Sequence, residues 1–188
     1  MGSGRVGIRL GVQADGDAIA SIHVRAWQSA YRGLIPDEFL DGLSVERRLE
    51  WWRRALAYQA AGRGSERIWV AKRPGRVMGF ASTGPCRDDD APSGMGEVYA
   101  LYVDPDLLGR GIGVALFARA LEDMRECGYS AATIWVLESN SPTRRFCDGA
   151  GWREDGATKT DFLPGFAIAE VRYWIDLAGD PMAPRSAS

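Results

Sequence analysis

The run Leu101-Tyr102-Val103-Asp104-Pro105-Asp106-Leu107-Leu108-Gly109-Arg110-Gly111-Ile112-Gly113 constrains this chain more than any other stretch. Residues 98–103 are rich in strand formers and run straight into Asp104-Pro105. Beyond the glycines, Ile112, Leu116, Ala120 and Met124, flanked by Phe117 and Leu121, outline a buried helix face that Gly128 ends. A strand therefore passes into a helix through a turn from which side chains have been removed. Such a turn lets successive backbone N–H groups face an anion, and the helix start adds its positive dipole end and unsatisfied donors. Arg110 can add a charge-assisted hydrogen bond. The pattern has no GK[ST] of a Walker loop and not the G-x-G-x-x-G spacing of a dinucleotide fold, and taken alone it also fits a plain tight turn.

The rest of the chemistry is spare. One histidine (His23) and three cysteines (Cys86, Cys127, Cys147) supply neither a multi-histidine metal site nor a disulfide framework, so no metal is expected. Three unpatterned thiols point to a reducing, cytoplasmic compartment. With 23 Lys+Arg against 25 Asp+Glu, the chain lacks the field of a phosphate-neutralising nucleic-acid binder. No apolar run approaches the roughly 18 residues that span a bilayer, so a membrane partner is not expected either. The length of 188 residues suits one domain with one substantial core. Residues 1–4 read as a cloning remnant, Val6 standing where a myristoylation motif wants Ser or Thr, and residues 180–188 read as a flexible tail.

Periodicity orders the remainder. Val6, Ile8, Leu10 and Val12 alternate as a first strand. Asp15 or Asp17 caps a helix carrying Ile19, Ile22, His23, Ala26 and Ala30, with Trp27 and Tyr31 four apart beside them. Pro36 opens a short helix, and Ser44 caps another with Val45, Leu49, Trp52 and Leu56 on one stripe. Residues 68–71 and 77–81 form a hairpin about Arg73-Pro74-Gly75-Arg76. Residues 84–96, with Asp88-Asp89-Asp90, read as a solvated, mobile loop in preference to a cation site. Residues 131–137 read as strand, 141–148 as a short helix, the stretch from Trp152 as irregular strand, and 168–177 as a closing strand.

Strand-VDP-x-x-x-G-R-G-I-G-helix resembles the acetyl-CoA-binding segment of the GCN5-related N-acetyltransferases (GNAT). Asn140 followed by Gly151-Trp152, in place of that family's Gly-Phe, is a second signature in the right order. The resemblance covers roughly residues 5–177. It implies an α/β fold of the α+β type, a mixed, mostly antiparallel central sheet of about seven strands flanked by about four helices. It also implies acetyl-CoA as co-substrate, an amine acceptor, and compatibility with a homodimer. The strand Leu101, Tyr102 and Val103 would hold the pantetheine arm through its backbone, and Leu108, Gly109, Arg110, Gly111, Ile112 and Gly113 would cradle the pyrophosphate. Asn140 and the helix after it, with Phe146, would meet the thioester end. Trp27 and Tyr31 would wall the acceptor pocket, although their helical spacing equally fits core.

Two positions depart from the family pattern. Leu108 stands where Gln or Arg is usual, and Cys147, seven after Asn140, where many members carry the tyrosine that protonates the departing thiolate. Glu97 is the expected acceptor of the amine proton, with an exposed strand-start carboxylate as its plain alternative; Cys147 is a candidate acid or simple packing. His23, on an apolar stripe, reads as a packing histidine. The function expected is N-acetyl transfer to an amine of a small molecule, peptide or protein, the alternatives being a non-catalytic acyl-CoA-binding regulatory module or a transferase for other acyl chains or hydroxyl acceptors.

Overall fold

The computed structural model describes residues 6–178; the expectations for residues 1–4 and 180–188 fall outside them. Seven strands form one sheet: β1 (Gly7–Leu10), β2 (Arg67–Arg73), β3 (Arg76–Pro85), β4 (Met95–Val103), β5 (Ala131–Leu137), β6 (Arg153–Leu163) and β7 (Phe166–Asp176). Their order is β1-β2-β3-β4-β5-β7-β6, and every neighbouring pair is antiparallel except β4 with β5. Among the described residues five α-helices accompany it, each at a place where the sequence pattern puts one, against the about four that the resemblance implies: α1 (Gly16–Ala30), α2 (Asp37–Asp41), α3 (Val45–Ala60), α4 (Ile112–Glu126) and α5 (Ser141–Gly149).

Strand alternation sorts the helices to two faces. Ile68 and Val70 of β2 point to one side, against Ile19 and Ile22 of α1 and the fully buried Trp52 and Leu56 of α3. Trp69 and Ala71 point to the other, against Ile112, Leu116 and Ala120 of α4. The opposite flank of α4 (Phe117, Leu121, Met124) packs on Val98, Ala132, Ile134 and Val136, with Cys147 of α5 and Trp152. Truncating Trp52 to Ala would remove about 3–5 kcal/mol of this packing. Ser44 caps α3 as expected, its hydroxyl accepting from the Arg47 N–H.

One loop differs from expectation. The β3–β4 connection is held in place: Asp88 accepts from the Trp135 indole N–H at 3.0 Å, and both Asp88 and Asp90 pair with Arg172 of β7. Pattern reading sees three consecutive aspartates; it cannot see an arginine more than 80 residues away that folds against them. The irregularity of β6 is a bulge between Glu154 and Thr158, where Gly156 takes a φ of 86°.

Candidate functional site

β4 and β5 pair only over Met95–Glu97 against Ala131–Thr133. Beyond Glu97 the two strands part, β4 staying with β3 and β5 with β7. The cause lies in β4: Ser82 pairs with Ala100 but Thr83 with Val98, which leaves Tyr99 as an extra residue, a bulge that turns the strand away. The Asp104 N–H donates to the Met78 carbonyl at 2.8 Å, so by backbone alternation Leu101 and Val103 direct their N–H and C=O groups into the opening.

The glycine turn lies at the end of this opening. Gly109 and Gly111 have φ of 72° and 74°, the left-handed region that side chains resist, and no side chain caps α4. Among the described residues, no acceptor engages the N–H groups of residues 109–114, and the first turn carries no acid. Leu108, Gly109, Arg110 and Gly111 are exposed, so these donors face outward. A Cβ at Gly113 would stand 3.6 Å from Val103 and 3.9 Å from Phe146, so the third glycine lies where β4, α4 and α5 converge. Asp104 anchors the turn. Burial would raise its carboxyl, but hydrogen bonds from Arg76 and the Asp106 N–H and the charges of Arg25 and Arg76 hold it below the usual range.

On the face of α1, the parting strands lead into a cavity of about 230 Å³. Trp27 and Tyr31 line it together with Tyr102, whose hydroxyl accepts from the Trp27 indole N–H at 2.8 Å. Burial pushes the Tyr31 and Tyr102 phenols up, keeping both protonated. The side chain of Tyr102 thus belongs to this cavity, and its backbone groups pair with Phe80 of β3, so Tyr102 offers the opening no hydrogen bond. Glu97 also reaches the cavity, yet it is 2% exposed and clasped by Arg87: its Oε2 accepts from the Arg87 N–H and Nε at 3.0 Å each, and its Oε1 from Nη2 at 2.5 Å. It is therefore not the exposed strand-start carboxylate that its position in the sequence allows.

Cys147 stays outside the cavity. It is fully buried in the core that holds Phe117 and Trp152, and burial pushes its thiol up to about 12. Asn140 caps α5, its side-chain oxygen accepting from the Thr143 N–H at 3.2 Å, and Phe146 leans on Phe117. His23 accepts from the Trp52 indole N–H at 3.1 Å and stacks on Tyr102; burial and the charge of Arg48 lower it to about 3, so it is a neutral packing group.

Sequence reasoning missed the far wall. Trp135, Lys159, Asp161 and Glu170 line the cavity, with the Lys159 ammonium 4.5 Å from the Trp135 ring centre, 3.2 Å from Glu170 and 3.7 Å from Asp161. Their signal was a charged residue recurring in the inward phase of β6 and β7, as in Ile168 followed by Glu170.

Comparison with known proteins places these features. The model of the acetyltransferase (GNAT) family matches residues 17–152. An uncharacterized N-acetyltransferase of Bacillus subtilis is 32% identical over 123 residues, 65% of this chain and 66% of that protein. A probable N-acetyltransferase of Mycobacterium tuberculosis is 27% identical over 175 residues, 93% and 95% of the two chains. The fold is also that of a Salmonella typhimurium acetyltransferase solved with acetyl-CoA, at a TM-score of 0.67, 24% identity and coverage of 97% and 99%.

Proposed function

Since the chain belongs to the GNAT acetyltransferase family and is an N-acetyltransferase, we propose that it moves an acetyl group from acetyl-CoA to a primary amine by direct attack in a ternary complex. One observation carries this reading: the outward backbone groups of Leu101 and Val103 and the unengaged N–H groups of residues 109–114 line a single opening that ends at the cavity. An extended amide-containing arm can pair with β4 as an added strand, and a pyrophosphate suits the start of α4. The Salmonella protein of like fold was solved with that molecule.

The reaction asks little else of the side chains. The nucleophile comes from the acceptor, which must lose a proton before attack, and backbone N–H groups at the Tyr99 bulge can stabilise the oxyanion. A thiol of pKa ~8.5 leaves readily as thiolate, so a buried Cys147 is no obstacle. Titration calorimetry with acetyl-CoA and an assay of thiol release with a panel of amines test the reading. Saturable binding with amine-dependent release is expected; binding without release by any amine would leave a regulatory acyl-CoA module instead.

A further inference from the structure

Three carboxylates line the cavity, Asp161 at its exposed rim and Glu97 and Glu170 deeper in, and the surroundings of the two deeper ones differ. Both oxygens of Glu97 are occupied by Arg87, so taking a proton would mean giving up a charge-assisted bond inside the protein. Glu170 stands on the opposite wall, on β7 across from Leu137, the last residue of β5. Among the described residues its one cationic partner is Lys159, and the Asp161 carboxyl lies within hydrogen-bonding reach of it. Lys159 is itself divided between Glu170 and Asp161. One ammonium thus answers two carboxylates, and a negative charge is left over against aromatic walls.

Building on the acetyl-transfer reading, we propose that Glu170 receives the acceptor's ammonium and takes its proton, while Glu97 is a positioning residue that fixes Arg87. The ammonium gives one proton to the Glu170 carboxylate, and the freed lone pair forms the C–N bond at the thioester carbon. The C–S bond then breaks with its electron pair on sulfur, the remaining excess proton on nitrogen passes to that thiolate, and Glu170 returns its proton to water. The balance is an amide, the free thiol and one proton. Burial pushes the Glu170 carboxyl up, toward the range in which a carboxylate works as a base. The acceptor class follows: an amine with one positive charge and an apolar or aromatic body, because both cavity cations, Arg87 and Lys159, already have carboxylate partners.

The groups facing Glu170 are Lys159 and Asp161 from β6, Tyr31 from α1 and Tyr102 from β4, with the Arg87–Glu97 pair lining the same cavity. The test is the pH profile of kcat/KM for thiol release by the full chain, with phenethylamine, tryptamine and L-lysine as acceptors. Glu170→Gln is expected to lower kcat/KM about 100-fold and to remove the acidic limb. Lys159→Met, by deleting the cation beside Glu170, should move that limb to higher pH, which a merely structural Glu170 would not do. Glu97→Gln should slow the reaction and leave the limb where it is. Wild-type turnover combined with an unaltered limb in both Glu170→Gln and Lys159→Met overturns the assignment alone, even if either variant is slowed by misfolding. Absence of release with all three amines in the wild type, with acetyl-CoA still bound, overturns the transfer reading and the assignment together.

Discussion

Arg172 grips Asp90 with both terminal nitrogens, Nη1 to Oδ1 at 2.7 Å and Nη2 to Oδ2 at 2.9 Å, across 82 positions of sequence. The same guanidinium reaches Asp88 at 3.0 Å and Asp155 at 2.8 Å, so the β3–β4 loop, the β6 bulge and β7 meet on one side chain. Asp88 in turn holds the indole of Trp135, and Arg87 beside it holds Glu97.

Replacing Arg172 with Leu should therefore loosen a wall of the cavity while the sheet stays intact. The loss of hydrogen bonds to the partly buried Asp88 and Asp155 costs about 1–3 kcal/mol. Hydrogen exchange should quicken at residues 86–94 well beyond the rest of the chain, and Lys at this position should not restore protection, since a point charge cannot reproduce a three-way fork. Exchange that quickens evenly throughout would contradict this picture.

At the turn, conformation and space make different demands. Gly111→Ala forces a left-handed φ and should cost ~1–2 kcal/mol in chemical denaturation. Gly113→Ala meets only ordinary contacts and should leave acetyl-CoA affinity nearly intact, whereas Gly113→Glu sets a carboxylate against the phosphate position and should abolish saturable binding in a calorimetric titration. Equal affinity in the Ala and Glu variants would refute an anion site here.

His23 offers a pH signature. Its folded pKa, lowered to about 3, lies below the unfolded value, so the unfolded state binds more protons as pH falls through ~6.5. Stability from this residue is complete above that pH and declines by up to about 1.4 kcal/mol per pH unit on the way down. His23→Gln keeps an acceptor for the Trp52 N–H but cannot titrate. Urea denaturation of both proteins between pH 7 and about 4.5 should show the wild type losing stability relative to the variant; parallel curves would show that His23 titrates normally.

Cys147→Ala should leave kcat within twofold and cost about 1 kcal/mol of stability from the small cavity it opens. In the native protein a haloacetamide should label the exposed Cys127 first and spare Cys147 until unfolding, as peptide mass mapping can follow. A kcat falling with the thiol would restore Cys147 as the acid.

Residues 98–128 were legible in the sequence because their signals are local. Strand formers, a Pro, left-handed glycines and an amphipathic stripe each act within a few residues, and the β4–turn–α4 unit follows them. Trp27 and Tyr31 were assigned to an acceptor pocket through the family resemblance, while their helical spacing alone fits core, and in the structure both line the cavity. Glu97 was found by position, but its partner was not: Arg87 lies ten residues away, across a loop whose shape depends on Arg172. Lys159, Asp161 and Glu170 escaped for the same reason. A charged residue on an alternating strand looks solvated until the other side of the sheet is known, and here that side is α1 and α2, whose Phe39 packs edge-on against Phe166 at the start of β7.

The parting of β4 from β5 also bears on how the molecule bends. Three residue pairs and the flanking bond from the Ser130 N–H to the Gly94 carbonyl make the backbone seam between the four-stranded and three-stranded halves of the sheet, and α4, with Leu101 of β4, carries side chains into the cores of both. Such a seam would let the halves act as two plates on a short hinge at Glu97 and Thr133, with α4 packed across it. A molecule pairing along β4 past the hinge would act as a wedge, setting the angle between the plates and hence the distance between Glu97 on one and Glu170 on the other.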